Sequence, residues 1–362
     1  MSEYQVLFDG TPADTDFYDV VAGLEIEENA DLPGAISLQL PVGVADGELT
    51  WVGDARIGPY ANIAVVVTPE GGADQCIFDG YVLSHKVHVP AGPSGARVEV
   101  WGQDASVLMG LTETVKEWSG MSDVDVASAI FQSYGATPAP QNSSEDAPVH
   151  TEDEHTLMQR ASDIDFLRRL ARRTGRWCRV TCADKPGVRT GWFAAPSLDG
   201  APALTIDVNS VDVQTSPVLD FTWDASRPTA VAARQASLTD DDEDGVSADT
   251  SDSGLSPLGK TPLSGFTGKD RTVRLTAAAD TAELPQRAAG LLREAGWFSR
   301  CEGTADIAVL KTVPRVGMIA SVVGCGALLS GSYLVWSVRH TITKQSHQAT
   351  FVLVRNAMGA AA

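Results

Sequence analysis

The chain has 362 residues, with 47 acidic and 27 basic side chains and a formal net charge of −20. That length suggests two or three domains, and 43% hydrophobic residues are enough for packed cores and too many for a disordered chain. A phosphate-reading surface needs a cationic excess, so bulk nucleic-acid binding is excluded, and no apolar run of about 18 residues is present to span a membrane.

Residues 1–110 read as a β-rich unit. In LEIEENADLPGAISLQLPV, Leu24 and Ile26 alternate with glutamates, and Ile36, Leu38 and Leu40 alternate with small or polar residues. This period of two marks half-buried strands. NIAVVVTPEGGADQCIFDGYV reads as strand, Gly-rich turn and strand, and ARVEVWG adds a strand ending at Gly102. No long helical pattern interrupts them.

Residues 111–200 read as a mixed module. SDVDVASAIFQSYG predicts a helix of about three turns, capped by Ser122 and stopped at Gly135, with Val126, Ile130 and Phe131 on one face. Residues 136–149 form a Pro/Ser-rich loop. In SDIDFLRRLARRTGRWCRVTC, Ser162 caps a second helix, Asp163 and Asp165 sit at its positive end, and Gly175 stops it. Phe166, Leu167, Leu170 and Ala171 form its apolar stripe, and a strand runs from Trp177 to Cys182.

Residues 201–362 return to strands. The Gly/Ser/Asp-rich stretch 236–268 predicts a mobile insertion. Residues 280–296 predict a helix with Leu284, Ala288, Leu291 and Leu292 on one side. The end is a hairpin in which Leu334, Trp336, Val338 and Ile342 alternate with their neighbours, followed by a turn at Lys344–Ser346. The charge is uneven. Residues 1–110 hold 17 acids and 3 bases, whereas residues 271–362 hold 5 acids and 10 bases. Opposite signs at the two ends fit either ordinary surface variation or ends that meet, within one chain or between copies.

Several motifs fail on context. Gly254 to Thr261 matches GxxxxGK[ST], yet acidic residues precede it and Pro262 follows, so the strand and helix of a phosphate loop are missing. Asp240 to Gly245 begins like a calcium loop, but Ser251 stands where the bidentate glutamate belongs. His150 and His155 flank three acids at a spacing unsuited to a helical metal pair. Cys178 and Cys182 share a strand face but stand about 13 Å apart at strand rise. Gly324-Cys-Gly326 reads as a turn. No GxSxG or HExxH occurs, so no catalytic, cofactor-binding or metal residue is assigned. The five cysteines (Cys76, Cys178, Cys182, Cys301 and Cys325) are odd in number and scattered, which predicts free thiols in a reducing compartment. MSEYQVLFDG carries no secretory signal pattern.

Three segments together carry a resemblance: ETVKEWSGMSDVDVASAIFQSYG (113–135), RASDIDFLRRLARRTGRWCRV (160–180) and GMIASVVGCGALLSGSYLVWSVRHTITKQSHQATFVLVRN (317–356), the last closing on Arg355-Asn356. They resemble the phage late control protein D family, the baseplate hub of contractile tails and tail-like injection systems, and are similar to the N-terminal half of VgrG spike proteins. The resemblance covers, with gaps, about 240 residues. It implies a mainly β fold with α+β elements: two tube-like antiparallel β-barrels, 1–110 and 201–362, and a small mixed α/β module, 111–200. It implies a homotrimer that adapts a hexameric tube ring to a trimeric spike among baseplate wedge components. Such a chain assembles in the bacterial cytoplasm and resides in the baseplate of a particle. VgrG chains continue into a needle and this one stops at Ala362, so the spike is expected on a separate chain. A non-phage β-rich binding module would fit the strands but leaves the D-F-L-x-R-L-A helix and the closing hairpin unexplained, and a cell-wall-active enzyme has no anchoring residues. The interface candidates are Arg168, Arg169, Arg172 and Arg173, able to dock an acidic partner or simply to complement the helix dipole, and Tyr333, Trp336 and Arg339 on the last hairpin, where Trp336 also fits a core position.

Overall fold

A computed structural model describes residues 3–45, 47–91, 95–140, 148–151, 156–210, 215–235, 246–276 and 283–360. The described residues are mainly β, with 45% strand and 20% helix. The first part supplies β1 (Glu3–Phe8), β2 (Thr11–Pro12), a short helix α1 (Thr15–Val20), β3 (Gly23–Asn29), β4 (Ala35–Pro41), β5 (Asn62–Thr68), β6 (Gln75–His88) and β7 (Arg97–Asp104). The alternation expected around Leu24, Ile26, Ile36, Leu38 and Leu40 is present, all five being buried. Helix α1 has too few residues to show a period. Asp14 caps it by accepting from the Phe17 N–H, and Phe17 is fully buried against Phe8 and Trp51.

The middle part holds β8 (Glu113–Trp118), α2 (Asp123–Ser133), β9 (Leu157–Ser162), α3 (Asp163–Arg173), β10 (Trp177–Cys182) and β11 (Arg189–Ala194). Ser122 and Asp125 form a reciprocal capping box on α2. At α3 the expected cap differs. The Ser162 hydroxyl donates to the Asp165 carboxylate at 2.9 Å and makes no bond to the helix backbone. Gly135 and Gly175 take the left-handed conformation expected after each helix (φ +71° and +62°). Val126, Ile130, Phe131, Phe166, Leu167 and Leu170 meet in one core.

The last part contains β12 (Leu204–Asp207), β13 (Leu219–Trp223), β14 (Ala230–Gln235), β15 (Val246–Thr250), β16 (Thr272–Thr276), α4 (Glu283–Ala295), β17 (Ser299–Asp306), β18 (Ile319–Val323), β19 (Gly331–Ile342) and β20 (His347–Arg355). Strands β14, β15 and β16 make a small sheet, onto which α4 packs Leu284, Ala288 and Leu292. Of the stretch 236–268, residues 236–245, with the calcium-like motif, lie outside the described residues. Residues 246–250 are β15, and Leu258 and Leu263 are buried.

The two β-rich parts share one 13-stranded sheet, in the order β13-β17-β20-β19-β3-β4-β7-β6-β5-β1-β2, with β18 and β12 branching from β19. Strand β19 makes the join. Its first residues pair with β18 (Ile319 opposite Leu334), and its last pair with β3 (Ser337 opposite Asn29, Ile342 opposite Leu24). The expected alternation of the final hairpin fails at this switch. A bulge between Val335 and Ser337 leaves Tyr333, Leu334 and Val335 all buried and resets the faces where the neighbour strand changes. One core runs beneath both parts, from Val6 and Ile63 to Val322 and Leu353.

Candidate functional site

Cross-strand register places two rows, polar except for Trp101 and Ala35, side by side over the join. One runs Trp101, Ser37, Glu25, Thr341, Gln348, Asp306, and the other Gln103, Ala35, Glu27, Arg339, Thr350, Thr304. None of the twelve is buried. The rows are knit by Arg339–Glu27 at 2.9 Å, Gln348–Asp306 at 3.0 Å and Thr304–Thr350 at 3.2 Å. The row on the opposite face, Gly102, Ile36, Ile26, His340, Ala349 and Ala305, is buried throughout. The result is a six-strand platform, polar on one face, continuous across both β-rich parts. Arg339, a candidate from the sequence, stands at its centre. The opposite charges of the chain ends meet here within one chain.

The other hairpin candidates do different work. Tyr333 is fully buried. Its hydroxyl donates to the Leu329 carbonyl at 2.7 Å and its ring lies under the Arg355 guanidinium, so it offers no surface to a partner. Trp336 is half-buried at the bulge, edge-on to Trp177 of the middle module at 5.9 Å and near Trp297 at 5.8 Å. The Arg355-Asn356 pair ties the end of the sheet together. Arg355 donates to the carbonyls of Leu258, Ser330 and Gly359, and Asn356 accepts from the Leu258 N–H at 2.8 Å and donates to the Ser256 carbonyl. Gly259 in the phosphate-loop look-alike is needed because a Cβ there would strike Arg355 and the Gly359 carbonyl. That motif is packing, not a nucleotide cradle.

The four arginines of α3 point different ways. Arg173 lies between Asp123 and Glu283, 3.4 Å from each, and so links the module to α4. Asp123 also meets His150 at 2.7 Å. Burial alone would raise the Asp123 carboxyl, and His150 and Arg173 overcome it and hold it low. His150 is thus a buried histidine paired with Asp123. His155 lies outside the described residues. Arg169 is exposed and donates to the Asp165 carbonyl, and Arg168 is half-buried. Arg172 is exposed and faces the carboxylates of Asp31 and Glu294.

Sequence reasoning missed a buried clasp joining all three parts. Glu28 of β3 accepts from Arg315 Nε at 2.6 Å and from the Val316 N–H at 3.1 Å. Arg315 also donates to the Cys76 carbonyl, and the Cys182 thiol does so too, both close against Arg315. Burial opposes the Glu28 charge, yet Arg315 and Arg179 hold its carboxyl below the ordinary range. All five cysteines are free thiols, and among the described residues no group of three metal-ligating side chains converges.

Arg172 opens onto a cleft of about 720 Å³ between the module, α4 and the sheet. Its walls carry Trp177, Trp223, Trp297 and Trp336, five arginines (Arg172, Arg176, Arg227, Arg293, Arg300) and three carboxylates (Asp31, Asp224, Glu294). Asp31 and Glu294 keep solvent-accessible surface, but partial desolvation at the mouth raises both, with Arg172 opposing. Arginines outnumber carboxylates on its walls, with Arg227 paired to Asp224 and Arg300 to Glu302.

A family model described as the Alg8 N-terminal domain matches residues 5–344. The chain belongs to this family. No curated protein matches the sequence. Among solved structures, this family member is similar to the 43 kDa tail protein of prophage MuSo2 from Shewanella oneidensis (TM-score 0.65, 14% identity, 99% of this chain and 100% of that one). It is similar to a tail protein from Neisseria meningitidis MC58 (0.66, 13%, 98% and 97%). It is also similar to an Escherichia coli component of the type VI secretion system (0.58, 12%, 97% and 76%). Identities this low establish the fold alone, and at that level the resemblance to tail hub and VgrG-related proteins holds. No helix among the described residues is long and apolar enough to cross a membrane.

Proposed function

We propose that the chain is a structural baseplate hub of a contractile phage tail or tail-like injection particle, acting by symmetry adaptation and not by catalysis. Three copies would form a ring in which each contributes two tube-like β-rich units, six in all. One side would match a hexameric tube, the other a trimeric spike, with wedge components outside. The observation that carries this reading is the single sheet crossing from β3 to β19. It fixes the two β-rich parts of one chain side by side, as two sixths of a ring require. The polar platform would line the channel, because it is the continuous face without an apolar cover. Its glutamates would keep acidic cargo from adhering. Electron microscopy of particles carrying an epitope on this chain tests the proposal. Label at the tube–spike junction supports it, and label along the tube or on fibres overturns it.

A further inference from the structure

Cys76 and Cys182 are far apart in sequence and side by side in the fold. Cys76 is the second residue of β6, and Cys182 is the last of β10. The Cys182 Sγ lies 2.7 Å from the Cys76 carbonyl oxygen, and the Cys76 N–H donates to the Asp184 carbonyl at 3.3 Å. The two thiols are within hydrogen-bonding reach of each other. Close backbone approach is what a disulfide requires, because cysteines whose Cα atoms stand more than about 7 Å apart cannot be bridged without backbone movement.

The two thiols differ in surroundings. Cys76 is fully buried, and its S–H donates to the Phe78 carbonyl at 3.3 Å. Cys182 keeps solvent-accessible surface and lines a cavity of about 360 Å³ with Trp177, Trp192 and Met318. Arg315 Nη2 stands 3.7 Å from its sulfur. The bond to the Cys76 carbonyl favours the Cys182 thiol, as do burial and Glu28. The Cys76 S–H and the Arg315 guanidinium favour the thiolate and prevail, holding Cys182 below the ordinary thiol range. The other four are raised. The Cys182 sulfur beside it and burial raise Cys76, burial pushes Cys178 and Cys301 up to about 12, and burial raises Cys325.

We propose that Cys182 is a reactive thiol with Cys76 as its resolving partner, and that a small anionic disulfide entering the cavity converts the pair into a disulfide stapling the first β-rich part to the middle module. The charged residues of the cavity wall are Arg179 and Arg315 against Glu28, a balance that suits an anionic reagent. The thiolate is the attacking species in such an exchange. The Cys182 thiolate attacks one sulfur of the small disulfide, whose S–S bond breaks and releases one thiolate. That thiolate takes the Cys76 proton. The Cys76 sulfur then attacks the Cys182 sulfur of the mixed disulfide and expels the second half as a thiolate, which takes a proton from water. The protein pair loses two electrons, and the small disulfide gains them as it becomes two thiols. The new bond joins residues 106 positions apart. In a compartment where glutathione is mostly reduced the pair stays open. The proposal stands apart from the hub reading.

The test treats the folded full chain with oxidised glutathione, quenches by alkylation and maps the peptides by mass spectrometry without reduction. A peptide linking Cys76 to Cys182 is the expected product, with Cys178, Cys301 and Cys325 reacting at least about tenfold more slowly. In Cys76→Ser, whose fold is checked by circular dichroism, one glutathione is expected to remain on Cys182. In Cys182→Ser the linkage and that adduct are both lost. Three results on the wild-type chain would overturn the proposal: first reaction at Cys178, Cys301 or Cys325, a glutathione adduct that persists on Cys182 while Cys76 stays free, or five thiols that all remain unreacted. The wild-type measurement needs no variant to fold, and none of its outcomes bears on the oligomeric state.

Discussion

At the scale of single residues, the chain places its costliest polar groups where its parts meet. Glu28 is the clearest case. It shares the inward register of Leu24 and Ile26, yet it is a carboxylate, held by Arg315 from the far end of the sequence. Glu28→Gln leaves Arg315 and Arg179 without a buried counter-charge, and about 3 kcal/mol of stability is expected to go, measurable by urea unfolding. His340 and His347 form a second such group, 3.0 Å apart, with the Pro314 carbonyl on the far side of His340. Burial lowers them to about 4 and about 3 respectively, with Glu28 and Arg315 acting in opposite senses on His340. Below about pH 6.5 the unfolded chain takes up protons that the folded pair refuses. Stability held above that pH is therefore lost as the pH falls toward 4. His340→Gln is expected to flatten the loss between pH 7 and 4.5, and an unchanged slope would refute this cause. These groups left a trace in the sequence that pattern reading passed over. Glu28, His340 and Arg355 each occupy an inward place in an otherwise apolar alternation. Several of their partners did not show, because Arg315, Pro314, Ser330 and Leu258 lie 25 to 287 residues away.

At the scale of elements, local patterns are legible where one physical rule decides. The alternating strands, the Ser122 capping box and the left-handed glycines after α2 and α3 follow from period and capping alone. The bulge at Trp336 does not, because it answers a change of neighbour strand that no local window contains. Helix packing hides the same kind of information. Gly290 in α4 meets the backbone of Thr174 and Gly175 at the end of α3, where an added Cβ would lie 2.5 Å from a backbone carbon. Gly290→Ala is expected to cost about 1–3 kcal/mol in chemical denaturation despite its better helix propensity. Gly23→Ala, which meets nothing within 4 Å, is the control and is expected to be near neutral.

At the scale of the whole molecule, the uneven charge takes on a geometry. The acidic first part and the basic last part meet inside one chain at Glu27–Arg339 and Glu28–Arg315, and five arginines line the cleft between the module, α4 and the sheet. The fold family was legible from three segments because the capped helices and the closing hairpin carry their own signals. The cleft was not, because its walls come from residues 31 to 354 and exist only once the three parts are assembled. If acidic and basic parts of neighbouring copies meet in the ring, screening loosens it, and 1 M salt is expected to weaken the assembly relative to 0.1 M. The direct measurement is the native mass of the purified chain across concentration. A species at three times the chain mass, giving way to monomer on dilution and in high salt, is the expected result. A chain that remains monomeric at high concentration and low salt would contradict the hub.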